Sequence, residues 1–363
     1  MSRVVYLHVG APKTGTTYLQ DRLALNRSAL SEHGVQYPLG VYASQFRAAL
    51  DLIEDDWGGL RPDVVGEWDN LVGRVRRQDG AVIVSHEILA VARPEQVKRV
   101  MDDLGDAEVH LVYSARDLAR QIPAEWQERL KHYSVPTFER YVQRVRNGRR
   151  TSSPMWFWRA HGLPDVLSRW SAGLPPERVH LVTVPQAGAP QDQLWLRYCQ
   201  AFGIDPAWAP EESETANASI GAAEAMLLRR FNRRLKQTGI GGEDYRKIVT
   251  EVMVQNTLAH RPKMTKVTLP PQHYDWADEV TAEWLEWIEG SGIHVIGDVA
   301  DLRPVRPPQG KPWADPDVPR RPQLIDAALD AMVALAVEAA KRPDPDQELT
   351  SKLRLAARRL RGQ

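Results

Sequence analysis

The chain is poor in cysteine. Cys199 is the only one, so no internal disulfide can form and a fold built on disulfides is excluded. Net charge is absent as well, with 47 lysines and arginines against 47 aspartates and glutamates. Nothing in such a balance recruits nucleic acid or an anionic membrane, so any anion site must be local. No apolar run has membrane-spanning length, and no transmembrane segment is expected. The start, MSRVVYLHVGAP, enters a β-like run at once, without a basic region ahead of a long apolar segment. That pattern predicts no secretory leader and a cytoplasmic location. Internal repeats are missing, and biased composition is confined to one proline-dense stretch.

What is present is the composition of an ordinary globular protein, 363 residues with 43% hydrophobic and 26% charged. Four runs, Val4 to Val9, Ala81 to Ser85, Val109 to Ala115 and Val179 to Val184, are nearly continuous in β-branched and apolar residues. They read as strands buried on both faces. Segments with helical spacing lie between them, such as Leu19, Leu23 and Leu30 after the first run. This alternation predicts an α/β fold, a three-layer parallel sheet flanked by helices. Cys199 sits in an amphipathic helical stretch and is expected to be a small buried hydrophobe. The main domain is expected over 1–303, a proline-rich linker over 304–322 and a helical C-terminal extension over 323–363. That extension reads as an apolar helix (Ile325 to Ala340) and a basic one (Leu349 to Arg361), candidates for docking on the main domain, touching a partner or pairing subunits into a homo-oligomer.

The sharpest signal is GAPKTGTTY, from Gly10 to Tyr18. A strand ending in a glycine turn that opens a helix gathers backbone N–H groups at the positive helix end, where phosphate or sulfate binds. Gly10 and Gly15 keep the spacing of a Walker A loop, whose lysine spans two phosphates and whose next hydroxyl holds magnesium. Here the only lysine is Lys13, inside the loop, and Thr16 and Thr17 follow Gly15 directly. When the group transferred is neutral, as SO3 is, the leaving phosphate carries the developing charge. One lysine then stabilises it without a metal.

PKTGTTYLQ resembles the 5′-phosphosulfate loop of the sulfotransferases that use 3′-phosphoadenosine 5′-phosphosulfate (PAPS), whose pattern is Pro-Lys-x-Gly-Thr-Thr/Ser. The resemblance implies their P-loop-like fold, PAPS as co-substrate and no metal. It implies that Ala11, Pro12, Lys13, Thr14, Gly15, Thr16, Thr17 and Tyr18 bind the donor. Lys13 would stabilise the leaving 5′-phosphate, and Tyr18 would stack near the adenine. The family's second landmark is an arginine after a later strand, with a serine eight residues on, both gripping the 3′-phosphate. Arg116 fits the first half, but the serine position holds Ala124, so the missing donor moves to Arg120, Gln121 or Gln127. Arginine then aspartate after a strand also reads as a helix start with a capping carboxylate.

Transfer to a hydroxyl, or less readily an amine, needs a base, commonly His or Glu. His86 and Glu87 come directly off a predicted strand, where α/β proteins place ligands. Either is a candidate, with His86 the first choice. For the acceptor, Trp156 and Trp158 are candidate wall residues in the aromatic stretch that also holds Phe157 and Trp170, and the segment from Tyr37 to Trp68 is a second wall. Arg261 and Lys263 are candidates to close over the 3′-phosphate. The acceptor class, whether small molecule, lipid or glycan, stays open. Two rival readings are a P-loop kinase or nucleotide triphosphatase and a non-catalytic nucleotide-binding scaffold. The first lacks its lysine before the threonine pair; Ala124 favours the second.

Overall fold

The computed structural model describes residues 3–39, 45–57, 59–149, 153–213, 219–308, 310 and 312–341. Its strands are β1 (Val4–His8), β2 (Val35–Gln36), β3 (Ala81–Ser85), β4 (Glu108–Ala115), β5 (Val179–Thr183) and β6 (His294–Ile296). They pair in parallel throughout, in the order β2-β3-β1-β4-β5-β6. Successive side chains point to opposite faces of a strand, and here both faces are apolar. Val82 and Val84 of β3, Leu111 and Tyr113 of β4 and Leu181 of β5 join one core. Ile83, Val112 and Val182 join a second core on the other side. A sheet buried on both faces has to be covered twice, which makes three layers.

The helices are α1 (Thr16–Leu25), α2 (Arg27–Glu32), α3 (Phe46–Ile53), α4 (Glu67–Arg76), α5 (Pro94–Leu104), α6 (Leu118–Lys131) and α7 (Phe138–Asn147). They continue with α8 (Trp156–His161), α9 (Leu163–Trp170), α10 (Gln193–Phe202), α11 (Ala222–Leu235), α12 (Gly242–Tyr245), α13 (Tyr274–Ser291) and α14 (Arg321–Ala340). Leu19 and Leu23 of α1, Leu30 of α2 and Trp195, Tyr198 and Phe202 of α10 cover the second core. The other core lies under α3 to α9, α11 and α13, through residues such as Trp68, Trp126, Trp170 and Trp284. Cys199 is buried on α10, and burial pushes its thiol up to about 12, so it is chemically quiet.

The predicted runs at β1, β3, β4 and β5 coincide with strands to within a residue at each end. β2, two residues long, was not expected, and the short segment after α13 is the edge strand β6. The stretch from Pro304 to Pro322 is tied to the main domain. Asp317 accepts the backbone N–H groups of Phe138 and Glu139 at the start of α7, at 2.9 and 3.0 Å, and the Trp313 indole donates to Thr268 O at 3.1 Å. α14 buries Ala327 and Ala331 against the domain and leaves Ile325, Leu329, Met332, Val333 and Val337 on its outer side. The basic helix expected over Leu349 to Arg361 lies outside the described residues. Among the described residues no helix is long and apolar enough to cross a membrane.

Because all strands run the same way, the carboxyl ends of β1, β3 and β4 meet at one edge. They deliver Gly10 to Thr14, His86 and Glu87, and Arg116 to the same place.

Candidate functional site

The loop after β1 is held by its carbonyls. Gly10 O accepts from Ser114 N at 2.5 Å and from Ser114 Oγ at 2.9 Å, and Ala11 O accepts from Thr14 Oγ1 at 2.5 Å. Pro12 O accepts from Gln121 Nε2 at 2.9 Å, Lys13 O from Arg116 Nη1 at 3.2 Å and Thr14 O from Tyr198 Oη at 3.4 Å. The amides from Lys13 to Tyr18 have no acceptor among the described residues. With every carbonyl bonded inward, the free N–H groups at the start of α1 are a cradle for an anion. Two glycines make the path possible. A Cβ on Gly10 would lie 2.9 Å from Glu87 O, and both Gly10 and Gly15 adopt positive φ, 120° and 90°. Lys13 adopts φ 62° without being glycine, a strained conformation that the surrounding bonds must hold.

Lys13 Nζ is 2.8 Å from Glu128 Oε2. Lys131 Nζ and His132 Nε2 lie 3.3 and 3.5 Å from the same carboxylate. Burial pushes the Glu128 carboxyl up, but the His132 hydrogen bond and the Lys13 and Lys131 charges outweigh it and hold it well below the usual range. Gln121 and Glu128, two turns apart on α6, therefore grip the carbonyl of Pro12 and the ammonium of Lys13.

Arg116 is half-buried, with Nε unpartnered, and burial together with Arg120 lowers its guanidinium to about 10. It lines a cavity of about 10 Å³ with Gln121 and His161. Gln121 Oε1 and His161 Nδ1 are unpartnered too, and that volume is the room of one water. The capping reading also holds: Asp117 accepts from Arg120 N at 3.0 Å at the start of α6.

Each nitrogen of the Arg120 guanidinium has a partner. It pairs with Asp117 and donates to Pro185 O and Val184 O at 2.8 and 3.2 Å, tying α6 to the end of β5. Gln127 donates to Ile220 O at 2.7 Å, and Gln121 holds the loop. All three expected replacements for the serine missing at Ala124 thus have partners within the protein. Arg261 pairs with Glu224 and with Asp330 of α14, and Lys263 is exposed. Tyr18 is half-buried on α1, with its hydroxyl 2.9 Å from Arg22 Nη1.

His86 ends β3 as the cap of a short helical turn, its Nδ1 accepting from Ile88 N at 3.3 Å. Burial lowers its pKa, so the ring is neutral and the remaining proton sits on Nε2. His86 thus offers a donor, and its lone pair is turned to Ile88. Glu87 is more open, 22% exposed against 10% for the His86 side chain, and Gln20 Nε2 donates to its Oε2 at 2.9 Å. Burial pushes the Glu87 carboxyl up, but His86, its own backbone N–H, Gln20 and His8 together hold it below the usual value, as an anion. Behind both, buried His8 is 2.7 Å from Ser85 Oγ and 3.4 Å from Ser114 Oγ, and Ser114 Oγ is 2.6 Å from Thr14 Oγ1.

Of the expected acceptor residues, Trp156 reaches this group and Trp158 does not. Trp158 is buried, with its indole bonded to Val145 O at 2.7 Å. Phe46 and Trp57 come in from the second expected wall, of which residues 40–44 and 58 lie outside the described residues. Glu128 and His132 were not expected. The signal that finds them is the i, i+4 stripe running down the helix that Arg116 opens. A separate cavity of about 470 Å³ is lined by Arg27, Arg74 and the first residues of the second expected wall, Tyr37, Pro38 and Leu39, among others, and contains no residue of the loop, the candidate bases or the aromatic group. Compared with models of known protein families and with curated proteins, the chain matches none.

Proposed function

We propose that the chain is a PAPS-dependent sulfotransferase acting on a hydroxyl acceptor. The observation that carries this reading is the loop itself. Its carbonyls are bonded inward, its amides are free at the start of α1, and its lysine lies within it, ahead of Gly15. Such a cradle suits a phosphosulfate: the amides and the Thr16 and Thr17 hydroxyls take the 5′-phosphate, and Lys13 meets the bridging oxygen that leaves with it. Arg116, half-buried with its Nε unpartnered, takes the 3′-phosphate. Glu87 is the base, because it is an accessible anion while the accepting nitrogen of His86 is occupied; His86 donates to the group in transit. In the step, the acceptor oxygen forms a bond to sulfur as its proton passes to Glu87. The bond from sulfur to the phosphate oxygen breaks, and its electron pair leaves on 3′-phosphoadenosine 5′-phosphate (PAP).

A second reading, a nucleotide-binding protein without transfer, is favoured by Ala124 and by the engagement of Lys13 with Glu128. Calorimetry decides first. Tight binding of PAP in EDTA, weaker for adenosine 5′-phosphate and ATP, is expected. A preference for ATP with magnesium would return the kinase reading to first place. Sulfate transfer from PAPS to any acceptor would end the scaffold reading.

A further inference from the structure

Resting on the sulfotransferase reading, we infer that the acceptor is a neutral saccharide, received on a bent aromatic wall of Phe46, Trp57 and Trp156. Contacts lead unbroken from His86, the neighbour of the base, to the lysine. Phe46 lies 5.3 Å from His86 and 5.8 Å from Trp57, and Trp57 lies 5.9 Å from Trp156 and 5.2 Å from His132. His132 contacts Glu128, which holds Lys13. At the other end Glu87, next to His86, abuts Gly10 of the loop. The wall therefore borders the space between the proton acceptor and the leaving group.

These rings pack against the core without being enclosed by it. All three are only partly buried, and Trp57 adopts φ 40°, which costs a bulky residue about 1–3 kcal/mol and marks a position held for another purpose. Four of the buried tryptophans, Trp68, Trp126, Trp158 and Trp170, donate their indole N–H to a protein acceptor, while that of Trp195, enclosed in the second core, has no partner among the described residues. Those of Trp57 and Trp156 have no acceptor among the described residues. The wall thus carries apolar faces and unclaimed donors side by side, the amphipathic character that suits a half-polar guest.

Its shape chooses among guests. The planes of Phe46 and Trp57 meet at 67° and those of Trp57 and Trp156 at 54°, so no two rings form a parallel slot for a flat phenol. A sugar ring fits such a bend, with its C–H face on one indole and its hydroxyls directed to the next indole N–H and to His132. The bordering charges are balanced, Lys13 and Lys131 against Glu128 and Glu87. Nothing at the wall calls for an anionic acceptor.

The test titrates the full chain, with and without PAP, with cellobiose, maltose and lactose separately and with p-nitrophenol, following tryptophan fluorescence. The same compounds are offered as acceptors of labelled sulfate from PAPS. A saturable fluorescence change with a disaccharide is expected, weakened about ten-fold or more in Trp57→Ala and in Trp156→Ala. Transfer to that disaccharide should show KM raised by a similar factor, with kcat and the Kd for PAP nearly unchanged, which also shows that both variants fold. Labelled phenol without labelled saccharide, no disaccharide response, or an unchanged KM in both variants would overturn the inference. Failure of the donor reading shows separately, as absence of PAP binding, while the titration without PAP still decides the acceptor.

Discussion

The Lys13 ammonium lies 2.8 Å from the Glu128 carboxylate, so the cation of the loop is already paired when an anion arrives. On the proposed sulfotransferase reading, donor binding has to draw Lys13 away from α6. Both side chains are more than a quarter exposed, and a pair of that kind is worth about 1 kcal/mol or less. Glu128→Gln should therefore bind PAP several-fold more tightly at low salt, an effect that fades as salt rises. An unchanged Kd at low salt would mean that Lys13 leaves Glu128 without cost.

Lys13→Ala separates binding from catalysis. Charge develops on the leaving oxygen only during transfer, so loss of the lysine should lower kcat by about 100-fold or more and weaken PAP binding far less. Single-turnover rates with saturating PAPS make the comparison. Equal losses in both quantities would place Lys13 in donor binding alone.

Arg116 touches the loop through Lys13 O and has a nitrogen without a partner. A charge-assisted bond to phosphate is worth about 1.5–3 kcal/mol, so Arg116→Ala should weaken PAP binding by about 10- to 100-fold. Adenosine 5′-phosphosulfate, which lacks the 3′-phosphate, is the control and should lose little. If both ligands weaken alike, Arg116 acts by holding the loop.

The legibility of this site followed the physics of each element. Strands buried on both faces show as unbroken apolar runs, and β1, β3, β4 and β5 were visible for that reason. β2 has two residues, too few to carry a period. The loop was readable because its glycines and its lysine are adjacent in sequence. Trp156 and Trp158 were not separable: two residues apart on α8 they point to nearly opposite sides, one toward the site and one into the core, and composition does not say which. Arg120 reads as an anion ligand in sequence, yet the end of β5 supplies carbonyls that claim it. Phe46 opens the amphipathic α3 and Trp57 lies in the loop after it, and only the fold brings Phe46 to His86 and Trp57 to Phe46.

His8 makes the site's support sensitive to acid. Burial, with a smaller contribution from His86, lowers its pKa from 6.5 to about 4 against the smaller raising influences of Glu87 and Gly10. The unfolded chain takes up the proton first, so the stability this group contributes is full above pH 6.5 and is lost as pH falls toward 4. The loss is on the order of 3 kcal/mol. His180 titrates in the same direction, but it is present in both proteins when wild type is compared with His8→Gln. Urea unfolding at pH 7 and pH 4.5 should show a smaller acid loss in the variant, and equal losses would remove His8 as the cause.

The base can be assigned by exchanging each candidate for a residue that keeps its structural duty. Asparagine at position 86 still caps the turn at Ile88, so His86→Asn removes the ring and leaves the backbone in place. Glu87→Gln keeps the bond to Gln20 and removes the charge. If Glu87 takes the proton, its loss should lower kcat by about 100- to 10,000-fold with PAP binding intact, while His86→Asn costs less. The pH profile separates the two further. The Glu87 carboxyl is held below its usual 4.5, so wild-type kcat/KM should be flat through pH 6.5 and fall only in stronger acid. That limb must vanish from the residual activity of Glu87→Gln and persist in His86→Asn. The reverse pattern, an active Glu87→Gln and an inactive His86→Asn, would require the ring to turn its Nδ1 away from Ile88 when the acceptor binds, and the base would then be His86.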